Sequence, residues 1–379
     1  MGVRTAPPWS EQPPISVARG RNLYLNVLSS ILRNKLGMRA RPGFVTLFPT
    51  WKCNHRCVFC DVWKKSTRYE DALSVSELAR IFGQIGPIDV LRISGGEPFV
   101  RRDNAEIVRA VEATSSPAII HVTTNGMLTG RIVRFAEELG DLAGKLHVKV
   151  SIDNVGEKHD RVRGVKGAYE KALATVEALV ALSATNRPHV GVNQAILSEA
   201  EAGSYEDLKS ILHPLGVPIY PVIAHTGFDS ALYAAEQTSP DVGKMDYQPF
   251  GEWTEEGLEK IMATFLEDSS RFNGLSEYLV DRYYLKGLRN RLVSGTRSPN
   301  PACVALRNHL RILPAGDVPV CYYNKKAVGN LRERSFPDIW YGDTIEAHRD
   351  WVAACRGCWE SCEVVPSAAY RGDMWKGLY

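Results

Sequence analysis

The chain has 379 residues, 44% of them hydrophobic and 23% charged, with a net charge of +3. This is the composition of an ordinary globular protein, long enough for a barrel-sized core plus an appendage. No apolar run is long enough to span a bilayer, and the Pro-rich start (Ala6 to Pro14) lacks the basic, apolar, small-residue order of a signal peptide, which predicts a cytoplasmic protein.

Basic charge is concentrated at the start, where Arg4, Arg19, Arg21, Arg33, Lys35, Arg39 and Arg41 face only Glu11. Within that stretch Tyr24, Val27, Leu28, Ile31, Leu32 and Leu36 recur at helical spacing, which predicts a basic amphipathic helix over about 22–36. Such a helix either packs across the bottom of the next domain, the favoured reading, or makes a peripheral contact with an anionic membrane or other polyanion. Nothing else signals nucleic-acid binding.

From Gly43 onward short β-rich runs alternate with amphipathic helices. Strands are predicted at 44–48, 90–94, 118–124, 146–152, 190–197 and 217–223. Helices are predicted between them at about 75–85, 104–114, 131–139, 168–182 and 205–215. Six strands with five intervening helices predict an α/β fold with a parallel sheet and right-handed crossovers. Two more helical patterns follow at 254–266 and 276–288, and turn-rich sequence fills 226–246.

Behind the first strand stands Cys53-Asn-His-Arg-Cys57-Val-Phe-Cys60. Three thiolates on one short loop can hold three irons of a 4Fe-4S cubane, and with no fourth cysteine nearby one iron stays open to bind something else. A zinc site using His55, or disulfides, are the alternatives for these residues. The C-x3-C-x2-C spacing, with Phe59 before the last Cys, closely resembles radical S-adenosylmethionine (SAM) enzymes. The resemblance implies a partial (β/α)6 TIM-like barrel whose open iron takes SAM and splits off a 5′-deoxyadenosyl radical. It also implies that cluster, SAM and substrate gather at the C-terminal mouth of the strands, and that a reducing partner such as flavodoxin or ferredoxin supplies the electron.

Further motifs match that family. Ser94-Gly95-Gly96-Glu97-Pro98 after the second strand matches its GGE motif, whose glycines let backbone approach a ligand closely. Ser151 and Arg163, in Ser151-Ile-Asp153-Asn154 and His159-Asp-Arg161-Val-Arg163-Gly164, resemble the SAM-binding Ser and Arg of the SPASM and twitch branch. The Arg fork suits the SAM carboxylate. Thr124, Asn125 and Asn193, at strand ends, are expected near the ribose or adenine.

Cys303, Gly316 and Cys321 match the C-x9-15-G-x4-C signature that opens SPASM and twitch domains, read as a hairpin of 310–313 and 318–322 around Pro314 to Asp317. A helix at about 337–354 leads to Cys355, Cys358 and Cys362. By likeness to the single-cluster twitch domain, Cys303, Cys321, Cys355 and Cys358 are expected to hold a second, auxiliary 4Fe-4S cluster. Cys362 is left over, as a substitute ligand or a buried thiol, and a zinc knuckle at Cys355 and Cys358 is the alternative.

The expected organisation is a basic extension (1–43), the barrel (44–225), a bridging substrate region (226–300) and the iron-sulfur domain (301–379). His225, Asp229 and Asp246 are possible acids or bases near the sixth strand. The expected activity is radical oxidation of a small polar molecule such as a sugar or aminocyclitol, with the auxiliary cluster accepting an electron. The alternative is maturation of a ribosomally made peptide by crosslinking, oxidation or epimerisation.

Overall fold

The structure, a computed structural model, describes residues 23–64, 71–225, 247–269 and 275–378. Helix α1 (Leu23–Lys35) precedes β1 (Phe44–Leu47), α2 (Val75–Ile85), β2 (Val90–Ile93), α3 (Asn104–Ser115), β3 (Ile119–Thr124), α4 (Thr129–Glu138) and β4 (Leu146–Ser151). Then come α5 (Glu157–Arg163), α6 (Ala168–Val180), β5 (His189–Ile196), α7 (Ser204–Leu212) and β6 (Ile219–Ile223). All six strands pair in parallel with their sequence neighbours, the arrangement that the strand-helix alternation predicts. Local sequence sets the helix ends. Ser74 and Glu77 form a reciprocal capping box before α2, and Leu78, Ile81, Phe82 and Ile85 turn one face of that helix into the core.

The chain continues through α8 (Glu255–Asp268), α9 (Leu275–Leu292), β7 (His309–Ile312), β8 (Asp317–Pro319), β9 (Ala327–Asn330), α10 (Phe336–Trp340), α11 (Glu346–Ala354) and α12 (Ser361–Arg371). Here the structure departs from expectation. Residues 309–312 are a seventh parallel strand of the barrel sheet, paired along β1 from Phe44↔His309 to Leu47↔Ile312. The turn before Asp317 does form, with Gly316 N–H donating to the Leu313 carbonyl (2.9 Å), but β8 beyond it pairs antiparallel with β9. A fully buried strand and a hairpin arm have the same apolar pattern. The unpaired edge of β1 decides between them. The helix expected over 337–354 is two, α10 and α11. They break around Gly342, where a Cβ would overlap the Asp338 carbonyl oxygen.

Helix α1 packs against α12 across the bottom of the sheet. Asn26 donates to Asp89 (3.1 Å), and Asn34 donates to Asn308 (2.6 Å) and to the Tyr370 carbonyl (2.9 Å). Tyr24, Leu28, Leu32 and Leu36 nevertheless face outward, so polar side chains dock the helix and much of its apolar stripe stays exposed.

The two faces of the sheet differ sharply. Leu91, Ile93, Ile120, Val122, Val148, Val150, Val192 and Ile196 pack in the apolar core. The alternating residues Arg92, His121, Thr123, Lys149, Ser151 and Asn193 are half-buried on the opposite face. Parallel sheets covered on both sides are ordinarily apolar on both, so this polar inner face sets the barrel interior apart from the core. Among the described residues no helix is long and apolar enough to cross a membrane.

Candidate active site

The cysteine loop leaves the C-terminal end of β1 and lies between the β2 loop and α5. On one side Gly96 N–H donates to the Thr50 carbonyl (3.0 Å) and Glu97 N–H to that of Lys52 (2.8 Å). On the other, Arg56 N–H donates to the Arg163 carbonyl (2.9 Å) and Val58 N–H to that of Val162 (3.0 Å). Glycines make this sandwich possible. A Cβ on Gly96 would lie 2.5 Å from the Trp51 carbonyl oxygen and closer still to that of Lys52, and one on Gly164 (φ +65°) would lie 2.6 Å from the Arg56 oxygen. Gly95, at φ +131°, occupies a conformation open to glycine. On their Cβ side the backbone that approaches the GGE glycines is therefore the cysteine loop's own.

Glu97 is also turned inward. Its Oε1 accepts from Thr124 Oγ1 (2.7 Å) and Phe99 N–H (3.1 Å), and its Oε2 accepts from Asn125 N–H (2.7 Å). Burial pushes this carboxyl up to about 7. It ties the β2 loop to the end of β3. Asn125 Nδ2 donates to Asn54 Oδ1 (2.7 Å) and lies 4.0 Å from Cys53 Sγ, which makes Asn125 a support of the loop. Ser151 and Asn193 stand opposite each other in register at the ends of β4 and β5, both half-buried at the mouth. Phe59 packs against Val162, Leu197 and Ala224, with the Arg163 guanidinium 5.6 Å from its ring.

Arg163, expected to hold a carboxylate of SAM, already grips one. Its Nη2 donates to Asp153 Oδ1 (2.7 Å) and its Nε lies 2.6 Å from Oδ2, while Nη1 points at Cys57 Sγ (3.8 Å). Asp153 also accepts from Ala195 N–H (3.1 Å), and its own N–H donates to His159 Nδ1 (3.0 Å). The end of β4, β5, α5 and the cysteine loop are thus joined through one buried ion pair. Sequence reasoning missed Asp153, although it stands in the run that carries Ser151, because its partner ten residues later follows no helical or strand period.

Burial raises all three early thiols, Cys53 to about 12 and Cys60 to about 11. Desolvated thiols of this kind give up protons readily only to a metal centre. His55, the possible zinc ligand, is buried, and burial followed by the nearby Arg163 charge holds its imidazole down at about 3. Among the described residues no three His, Cys, Asp or Glu side chains converge as ligands of a single metal ion. Ligands of a cubane sit on separate irons and do not need to converge on one point, so the donor set fits a cluster better than zinc.

Cys303, Cys321, Cys355 and Cys358 line one cavity, with Glu363 in its wall. Three of them accept N–H···S bonds, from Ala305 (3.5 Å), Asn324 (3.3 Å) and Gly357 (3.4 Å). Cys362 is not among the residues that line this cavity. It packs with Cys60 against Phe48, Trp51, Val62 and Tyr322. The loop carrying Cys355 and Cys358 is anchored by Trp359, whose indole N–H donates to the Tyr284 carbonyl (3.0 Å) and whose ring fits against Gly287 of α9. Glu363, unnoticed in the sequence, pairs with Arg311 (2.6 Å) of β7, which holds its carboxyl down at about 2 against the effect of burial. His225 Nε2 lies 2.7 Å from Glu360 Oε2. Asp229 and Asp246 lie outside the described residues.

The sequence matches the Radical SAM superfamily over residues 47–193 and the SPASM iron-sulfur cluster-binding domain over residues 303–359. Among curated proteins, Fe-coproporphyrin III synthase of Methanosarcina barkeri is 34% identical over 126 residues, which are 33% of this chain and 30% of that protein. The chain thus spans less than a third of that relative. AdoMet-dependent heme synthase of the same organism is 27% identical over 80% of this chain and 84% of its own. PqqA peptide cyclase of Rhizobium meliloti is 25% identical over 82% and 77%. Among solved structures, Streptococcus suis SuiB bound to S-adenosylmethionine superposes with a TM-score of 0.55 at 15% identity, over 84% of this chain and 70% of that one, a likeness of fold.

Proposed function

The chain is a radical SAM enzyme of the SPASM/twitch branch, and on that premise we propose that it matures a peptide by abstracting hydrogen from it. Cys53, Cys57 and Cys60 would hold the 4Fe-4S cluster that binds SAM, and Cys303, Cys321, Cys355 and Cys358 an auxiliary one. When bound, these groups supply the electron that splits SAM into methionine and a 5′-deoxyadenosyl radical, and an acceptor for the electron that a later oxidation releases. The chain's own residues do the positioning. Gly96 and Gly164 seat the cysteine loop, Glu97 and Asn125 brace it from β3, and the Asp153–Arg163 pair locks α5 beneath it. Ser151 and Asn193 line the mouth where SAM would lie.

The observation that carries the reading is the cysteine loop held between the GGE turn and α5, at the C-terminal end of strands whose inner face is polar. A half-buried strand end of this kind limits the access of bulk water to a carbon radical that would otherwise take hydrogen from the nearest group. For the substrate, similarity to PqqA peptide cyclases over about four-fifths of the chain favours a peptide over the sugar or aminocyclitol of the first expectation. A second reading, modification of a tetrapyrrole, is favoured by the heme synthase similarity over an equal share of the chain. Net two-electron oxidation and reduction by a flavodoxin or ferredoxin are part of the same proposal.

The test is anaerobic reconstitution, chemical reduction, and assay for 5′-deoxyadenosine with the parent and with a Cys53→Ala/Cys57→Ala/Cys60→Ala variant. Product from the parent and none from the variant is expected. Equal product from both refutes the cluster assignment. Any short peptides found encoded beside the gene, added to the parent, are expected to lose two hydrogens by mass. Iron-coproporphyrin consumed while those peptides stay unchanged would establish the second reading in place of the first.

A further inference from the structure

The inner face of the barrel sheet holds a cation below the mouth. Across the inner face, Arg311, Thr46, Arg92, His121 and His147 stand in one register row, and Thr123, Lys149 and Gly191 in the row above. Arg92 lies two residues before the Ser94 turn and Lys149 two before Ser151, so both sit about 6–7 Å beneath the mouth at the rise of a parallel strand. Arg311 is already paired with Glu363. Arg92 is not paired. Its Nε is buried without a hydrogen-bond partner, and among the described residues no carboxylate forms an ion pair with it. Beside it, His121 Nδ1 and Thr123 Oγ1 are likewise buried without partners.

Lys149 faces the same space. Its ammonium stands over the Tyr220 ring, 3.1 Å from the centroid, in room that exists because Gly191 has no side chain. Burial lowers its proton affinity, and Asp281 and Glu277, one turn apart on α9, oppose that shift from the side. Burial and the Lys149 and Arg92 charges keep His121 neutral. Buried polar atoms are partnered in the great majority of cases, and an unpaired buried guanidinium is costly unless something comes to meet it. With Lys149 partly balanced by α9, the barrel interior carries, among the described residues, a guanidinium fork without a carboxylate partner, which suits a planar monoanion better than a dianion such as phosphate.

We propose that Arg92, assisted by Lys149 and Thr123, is a carboxylate-binding subsite in the floor of the barrel, and that the substrate carries a carboxylate seated there. This rests on the reading of the mouth as the place of hydrogen abstraction. It names the chemistry that holds the substrate beneath that place. A Glu or Asp side chain of a peptide and a free polycarboxylic acid offer the same group, and the experiment separates them.

The parent, Arg92→Gln and Arg92→Lys proteins, reconstituted and SAM-bound, are titrated calorimetrically with glutarate, with N-acetyl-Gly-Glu-Gly-amide and with its Gln counterpart. Binding by the Glu peptide but not the Gln peptide is expected for a peptide substrate, and binding by glutarate without the Glu peptide for a free acid. In either case R92Q should weaken the carboxylate probe about ten- to a hundredfold, with partial retention in R92K. The ligand-free Arg92→Met protein should melt at a higher temperature than the parent, because an unpaired buried charge has been removed. A structural arginine would give the opposite. The proposal is overturned by a lower melting temperature for R92M, by an unchanged Kd in R92Q, by equal binding of the Gln peptide, or by no binding of any probe. SAM cleavage by the parent without any probe is measured alongside, so failure of the radical chemistry is told apart from failure of the subsite.

Discussion

Replacing Asp153 by Asn decides whether Arg163 belongs to the scaffold of the cysteine loop or to a ligand. The Asp153 side chain is 1% exposed and that of Arg163 10%, with paired contacts of 2.6 and 2.7 Å. Two unit charges about 4 Å apart at an effective dielectric of about 20 attract by ~4 kcal/mol. Removing one member leaves the other charge buried and uncompensated, at a typical cost of ~3–5 kcal/mol. D153N keeps the acceptor for Ala195 N–H, so the charge is the main loss. The expected result in urea denaturation is a stability loss in that range, largely regained in D153N/R163M, where both charges are gone. SAM affinity separates the two roles. A guanidinium waiting for the SAM carboxylate is freed by D153N and binds SAM more tightly, whereas a scaffold residue loses its position and binding weakens. An unchanged denaturation midpoint with tighter SAM binding refutes the scaffold reading.

Gly96→Ala should cost the first cluster and 5′-deoxyadenosine formation together, since its Cβ overlaps backbone on the cysteine loop; full iron and normal cleavage would contradict this. Cys321→Ser should lower iron from about eight to about four per chain, while Cys362→Ser, outside the shared cavity, should keep the full complement by iron analysis. Loss of about four irons in C362S would instead make it a ligand. Gly287→Ala drives a methyl into the Trp359 ring, an overpacking worth about 1–3 kcal/mol or more, and should lower both the melting temperature and the auxiliary iron. An unaltered melting curve would show that Trp359 does not rest on α9.

Most of the barrel could be read from sequence because each of its strands and helices carries its own period. Val90 to Ile93 and Leu146 to Ser151 alternate cleanly, and the capping box at Ser74 marks a helix start. What could not be read depends on partners far away in sequence. His309 to Ile312 looks like a hairpin arm until the open edge of β1, more than two hundred and fifty residues earlier, claims it. That Arg163 has a carboxylate partner in Asp153 shows only in the fold, because the two are ten residues apart on no common period. The GGE glycines also make room for the backbone of Thr50 to Lys52, a contact between segments some forty residues apart that no local pattern announces. Cys362 was left over by counting and is set apart by packing.

The seventh strand also explains how the two cysteine groups are held relative to each other. Because β7 lies along β1, Arg311 is brought into the barrel's inner row opposite Thr46, and its partner Glu363 comes from α12, which begins at the last cysteine loop. Glu363 Oε1 in turn accepts from Tyr322 N–H (3.0 Å), next to Cys321. One buried carboxylate therefore ties together the barrel sheet, the Cys321 turn and the helix that follows Cys358. Cys60 and Cys362 pack against the same apolar cluster. The late segment is thus built into the barrel wall by a strand, an ion pair and a shared core, so the two cysteine groups are parts of one packed unit.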